Sequence, residues 1–120
     1  MLLGSFYKII DSSNEGDKLT ATVEFDATHP IFGGHFPALP VVPGVCQTQM
    51  LHEVLAYILN RELTMNRVSQ IKFLDLLNPL KTPRIQMDIK LTPESDGKFL
   101  VSANYIWEDI AYFRFKGEFQ

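Results

Sequence analysis

Only one stretch of this chain reads as a long helix. Residues 44–63 contain no proline and no internal glycine, and Val45, Cys46, Met50, Leu51, Val54, Leu55, Ile58 and Leu59 cover most of a helical circumference. A helix that is apolar on nearly every side has to be enclosed, and strand patterns stand on both sides of it. Residues 19–26 alternate apolar and polar with period two, the pattern of a strand with one buried face. The apolar start, residues 1–10, reads as a strand, and the polar run 12–18 as the hairpin turn that pairs the two antiparallel. After the helix, residues 68–77, 84–91, 98–107 and 110–119 carry strand signals. Asn78-Pro79, Lys81-Thr82-Pro83 and the run from Pro93 to Gly97 supply the breaks, while the last turn, near Glu108-Asp109, is short and lacks glycine. The pattern predicts one α+β domain over residues 1–120, an antiparallel sheet wrapped around one central helix.

Composition removes several function classes. Hydrophobic content of 46% with 21% charged residues suits a globular chain with a sizeable core, and excludes disorder. The net charge is −3 and the 11 basic residues are dispersed along the sequence, so there is no nucleic-acid footprint and no basic amphipathic helix for a membrane surface. The apolar start lacks a basic leader and a small-residue cleavage site and is too short to span a bilayer, which predicts a native N-terminus. One cysteine, Cys46, excludes an internal disulfide and any multi-cysteine zinc site, and fits a reducing, cytoplasmic setting. No glycine-rich phosphate loop is present, and no metal or resident cofactor is expected.

Candidate chemistry gathers where a loop meets the helix. Residues 29–53 read His29-Pro30-Ile31-Phe32-Gly33-Gly34-His35-Phe36-Pro37-Ala38-Leu39-Pro40-Val41-Val42-Pro43-Gly44-Val45-Cys46-Gln47-Thr48-Gln49-Met50-Leu51-His52-Glu53. Prolines at 30, 37, 40 and 43 stiffen the loop that delivers His35, whose side chain is mostly neutral near pH 7 and able to take a proton. Gly44 opens the helix behind Pro43, so its N–H lies at the positive end of the helix dipole, where an oxyanion or carbonyl oxygen is favoured. At about 100° per residue, Gln49, Glu53, Ala56 and Asn60 share one narrow stripe, the polar line of an otherwise apolar helix, with His52 flanking it. A depressed pKa would make Cys46 a nucleophile, but lone cysteines on apolar helix faces more often belong to the core.

The Gly34-His35-Phe36-Pro37 turn, the Val41-Val42-Pro43-Gly44-Val45 run and the helix after them resemble the β-hydroxyacyl-acyl-carrier-protein dehydratases of fatty acid synthesis. Residues 72–80, Lys72-Phe73-Leu74-Asp75-Leu76-Leu77-Asn78-Pro79-Leu80, look like that family's strand and proline turn. The resemblance implies the hotdog fold, a dimer with a continuous sheet, and a cis His35–Phe36 peptide. It implies His35 as the base, the Gly44 N–H as the group that polarises the thioester carbonyl, and a helix residue from the partner subunit as the third element. It further implies an acyl chain carried on the phosphopantetheine of an acyl carrier protein or coenzyme A. The tunnel for that chain would be lined by Phe32, Phe36, Phe73 and helix residues such as Val45, and homodimers, hexamers or a heterodimer with a paralogue are the assemblies to expect. The family places a carboxylate fourteen residues after the histidine and a glutamine one turn later; here those positions hold Gln49 and Glu53. An amide can donate a hydrogen bond to a β-hydroxyl or position a water, but it has no titrating proton to give. The acid has therefore either moved to Glu53, the reading the stripe favours, or been lost. Two rivals follow: a hotdog thioesterase using Glu53 without His35, and a non-catalytic acyl-binding subunit of a heterodimer.

Overall fold

In the computed structural model the described residues are 1–34 and 40–120; His35, Phe36 and the peptide between them lie outside these. The elements run β1 (Tyr7–Glu15), β2 (Lys18–Phe25), α1 (Pro30–Gly34), α2 (Gly44–Leu59), β3 (Met65–Phe73), β4 (Arg84–Pro93), β5 (Phe99–Trp107) and β6 (Ile110–Phe119). All six strands form one antiparallel sheet in the order β1-β2-β4-β5-β6-β3, with β1 and β3 at its edges.

Alternation sorts each strand between two environments. Leu19, Ala21, Val23 and Phe25 of β2, Ile85, Met87 and Ile89 of β4, and Val101, Ala103 and Tyr105 of β5 turn inward onto Met50, Leu51, Val54 and Leu55 of α2. Polar neighbours turn outward. The expected α+β architecture, a sheet around one long helix, is what the chain forms.

The element ends differ from the sequence reading for local reasons. Strand β1 begins at Tyr7, because residues 4–6 form a turn in which Gly4 has φ 97° and the Ser5 and Phe6 N–H groups donate to the Leu2 carbonyl. Ser12 to Glu15 belong to β1, and only Gly16 and Asp17 turn the chain; Gly16 takes φ 68°, which suits a residue without Cβ. Helix α2 stops at Leu59, four residues early, because Asn60 adopts the left-handed conformation and its N–H closes on the Ala56 carbonyl. Strand β3 starts at Met65 and ends at Phe73, short of the expected Leu77. The first part of the proline loop is the short helix α1, with Pro30 at its first position. At the β5–β6 connection Glu108 and Asp109 both have positive φ, 48° and 66°, the geometry of a two-residue hairpin made without glycine.

Candidate functional site

The start of α2 is built by Pro43, which ends the loop and leaves its carbonyl to accept from the Cys46 and Gln47 N–H groups at 3.0 and 3.1 Å. No side chain caps this end, and the Gly44 and Val45 N–H groups find no acceptor among the described residues. The ring of Phe73, at the end of β3, lies over Gly44: a Cβ added there would stand 2.6 Å from its Cζ. Phe73 is 56% exposed and Val45 79% exposed, so both flank an open helix start, as a binding role for them requires. Phe32 is different. It is buried and stacks on Phe6 with ring centroids 4.8 Å apart, which makes it part of the core rather than the wall of a tunnel.

One turn into the helix the polar stripe is real and tightly organised. Gln49 Nε2 donates to Glu53 Oε2 at 2.9 Å, and the Leu2 N–H donates to the same oxygen at 2.9 Å. Glu53 Oε1 accepts from the Leu3 N–H at 2.8 Å and from the Tyr7 hydroxyl at 3.0 Å. Glu53 is 7% exposed. Burial pushes its pKa up, but the donors from Leu2, Gln49, Leu3 and Tyr7 outweigh that and hold it below the ordinary 4.5. Tyr7 is driven the other way, well above 10, by burial first and then by the adjacent carboxylate. A general acid needs a raised pKa and a free proton; Glu53 has a lowered one and four donors aimed at it. This arrangement works against the displaced-acid reading and makes Glu53 an anchor that ties the N-terminal segment to the helix and orients the Gln49 amide. With one Nε2 hydrogen engaged, the Gln49 carbonyl oxygen and the second Nε2–H are the groups left to meet a ligand.

Beside this tie lies a cleft of about 550 Å³ lined by Met1, Leu3, Gln49, His52, Glu53, Ala56, Tyr57, Glu62 and Leu63. His52 Nε2 bonds the Leu63 carbonyl at 2.7 Å and its ring meets Phe119 edge-on, a packing role at the cleft wall. His29 does local structural work just before α1, where its Nδ1 accepts from the Ile31 N–H at 3.2 Å. Cys46 is buried, and burial followed by the charge of Glu53 raises its thiol pKa, the wrong direction for a nucleophile. Sequence reasoning missed Tyr7 and Gln47. Tyr7, the residue that opens β1, carries its hydroxyl into the core; Gln47 is buried, donates to the Val42 carbonyl at 3.0 Å, receives the Tyr105 hydroxyl on its backbone carbonyl at 2.6 Å, and leaves Oε1 without a partner among the described residues.

The family model described as ApeI-like, ApeI dehydratase, matches residues 11–106. The chain belongs to the ApeI-like dehydratase family. The match runs from β1 into the end of β5, so it takes in the proline loop, the Gly44 helix start and the Gln49–Glu53 tie of this ApeI-like chain. No curated protein matches it by sequence. By structure it is similar to the dehydratase heterocomplex ApeI:P from Xenorhabdus doucetiae, with 20% identity, 92% of this chain and 95% of that one covered, and a TM-score of 0.72. It is also similar to the HP0420-homologue from Helicobacter felis, with 14% identity, 94% and 85% covered, and a TM-score of 0.68. An uncharacterized protein from Erwinia carotovora subsp. atroseptica matches at 18% identity, 93% and 90% covered, and a TM-score of 0.63. These likenesses establish the hotdog fold for the ApeI-like chain. Among the described residues no helix is long and apolar enough to cross a membrane.

Proposed function

We propose that the chain acts on a β-hydroxyacyl thioester, carried on the phosphopantetheine of an acyl carrier protein or coenzyme A, and eliminates water from it in fatty acid or related polyene or lipid biosynthesis. The observation that carries this reading is the uncapped Gly44 N–H under the Phe73 ring, in a chain of a dehydratase family. Elimination needs a base for the α-proton, a dipole for the thioester oxygen and a proton for the departing hydroxyl. His35 takes the α-proton; the Gly44 N–H holds the oxygen; the Gln49 carbonyl accepts from the β-hydroxyl and orients it. With Glu53 held as an acceptor, the proton for the leaving hydroxide comes back from the His35 imidazolium, so one histidine serves both steps.

The site is completed by a second chain. Strand β3 is an open edge, and on its inward side Val68, Ile71 and Phe73 stay 40%, 39% and 56% exposed, followed by exposed Leu74 and Leu76. A partner strand paired along β3 continues the sheet and covers them, as a homodimer, within a hexamer, or as a heterodimer with a paralogue. One observation favours a second reading. Neither Gln49, an amide, nor Glu53, a saturated acceptor, offers a proton, which fits an acyl-binding half of a heterodimer whose partner holds the carboxylate. The same saturation disfavours a thioesterase that would attack through Glu53.

The test is to assay the purified chain, alone, with β-hydroxyacyl and enoyl carrier-protein thioesters. Turnover that disappears in His35→Ala with an unchanged melting temperature supports the dehydratase reading. Turnover within tenfold of the parent in that variant removes His35 as the base. A chain inactive alone and active only with a paralogue moves the conclusion to the second reading.

A further inference from the structure

The basic residues are dispersed in the sequence, but the fold gathers six of the 11 on one surface. Outward-facing residues of the sheet fall in rows set by strand register. One row is Lys18, Lys90, Ser102, Lys116, Gln70; the next is Thr20, Asp88, Asn104, Arg114, Lys72; a third is Thr92, Leu100, Glu118, Arg67. Lys18 stands directly opposite Lys90, and Lys72 directly opposite Arg114, and all six basic side chains are exposed. Like charges placed directly across a strand pair weaken that pair. In a chain with 14 acidic residues against 11 basic ones, folding alone gives no reason for such pairs.

Little on the face neutralises them. Arg67 meets Glu118 at 3.7 Å, and Arg114 Nε donates to Asn104 Oδ1 at 3.1 Å. Asp88 is occupied by the Gln86 amide at 2.7 Å, and Glu15 stands opposite Lys18 on β1. Among the described residues no carboxylate lies within ion-pair distance of Lys18, Lys72, Lys90 or Lys116. Lys18, Thr20, Asp88, Lys90, Ser102 and Asn104 also line a groove of about 420 Å³ on this face.

We propose that this outer face, from β2 across to the open edge at β3, docks an acidic protein surface, and that its occupant is the acyl carrier protein. The carrier's identity rests on the dehydratase reading; the preference for an acidic partner rests on the charge map. A nucleic acid fits less well, because Asp88 and Glu118 interrupt any track for phosphates and no aromatic ring faces outward between β4 and β3 for a base to stack on. A lipid surface fits less well because Leu100 is the one large apolar side chain in these rows, too little for a wedge. Position supports the carrier: Lys72 precedes Phe73, whose ring covers Gly44, so a carrier held on the outer side of β3 stands at the strand end that leads to the helix start.

The experiment titrates the full chain with a purified apo acyl carrier protein, which has no acyl arm, by calorimetry and by backbone amide shifts. The expected result is binding that weakens from about 50 to about 300 mM salt, with shifts on the outward residues of β4, β5, β6 and β3. Lys72→Glu with Arg114→Glu should weaken it about tenfold or more, and Lys81→Glu, away from the face, should leave it unchanged. Lys72→Glu alone supplies a fold-independent readout: it places opposite charges across β3–β6, so the melting temperature should hold or rise while carrier binding falls. Unchanged binding in both reversal variants, or no binding of the carrier at all, overturns the proposal. So does preferential binding of anionic vesicles or duplex DNA. Carrier binding on this face by a chain without turnover keeps the docking surface and retires the reaction; turnover that ignores both reversals retires the docking surface alone.

Discussion

Gln49 and Glu53 share one hydrogen bond of 2.9 Å, and its direction decides what each can do: the amide of Gln49 donates and the carboxylate of Glu53 accepts. Because Leu2, Leu3 and Tyr7 donate to the same carboxylate, the tie also fastens the N-terminal segment to the middle of α2. Stability and site geometry therefore meet in one buried charge.

Replacing that charge should unsettle both. Glu53→Gln puts an amide N–H against donors and should cost about 2–4 kcal/mol of stability. The pH dependence has a defined sign. The folded pKa of Glu53 lies below the ordinary 4.5, so its contribution is complete above about pH 4.5 and is lost as pH falls through the folded value. The parent should lose melting temperature on acidification in that window, and Glu53→Gln should lose less; parallel pH profiles would contradict the tie.

Tyr7→Phe removes one buried hydroxyl bond to a charged acceptor and should cost about 1.5–3 kcal/mol, measured by chemical denaturation. A cost near zero would mean that Leu2, Leu3 and Gln49 hold the carboxylate unaided.

Gly117→Ala probes the open side of the sheet. An added Cβ would stand 2.6 Å from the Arg67 carbonyl oxygen of β3, a backbone atom fixed by strand pairing, and 2.8 Å from the Phe115 ring. Neither neighbour can step aside, so a loss of about 1–3 kcal/mol is expected, with faster amide exchange along β3. Gly44→Ala meets only the tip of the exposed Phe73 ring, which can swing away. Its cost should stay under about 1 kcal/mol, yet the new methyl occupies the approach to the Gly44 N–H and should depress turnover, a loss that Phe73→Ala does not rescue.

Period and punctuation made much of this legible in the sequence. The start of α2 at Gly44 followed from Pro43, and β6 spans residues 110–119 as its alternation predicts. The stripe placed Gln49 beside Glu53 because four residues make about one turn. What periodicity cannot carry is contact across the chain. The backbone donors to Glu53 come from residues 50 and 51 positions away, Leu3 and Leu2, in a segment whose apolar letters read as strand. Phe32 looked like a ligand contact because its neighbours in sequence do, until Phe6 claimed it from the far side of the core. The basic face was invisible for the same reason: Lys18, Lys90, Lys116 and Lys72 become neighbours only through strand register.

The most decisive variant reverses the Gln49–Glu53 tie rather than breaking it. Gln49→Glu alone sets two carboxylates one turn apart, where repulsion raises one pKa and lowers stability. In the double variant Gln49→Glu/Glu53→Gln, the new amide at 53 can donate to the new carboxylate at 49 while its oxygen keeps the Leu3 and Tyr7 donors; only the Leu2 N–H, which shares Oε2, loses its acceptor. The cost should be about 1 kcal/mol, less than for Glu53→Gln alone. A positioned general acid contributes about 10²–10⁴ in rate, so with the carboxylate fourteen residues after His35 the double variant should dehydrate a carrier-bound β-hydroxyacyl thioester at least about tenfold faster than the parent. Melting curves and a single carrier-bound substrate suffice to measure both. A double variant as stable as expected but no faster would show that a carboxylate at 49 is not what limits this chain, and would shift the weight to an acyl-binding subunit whose partner performs the chemistry.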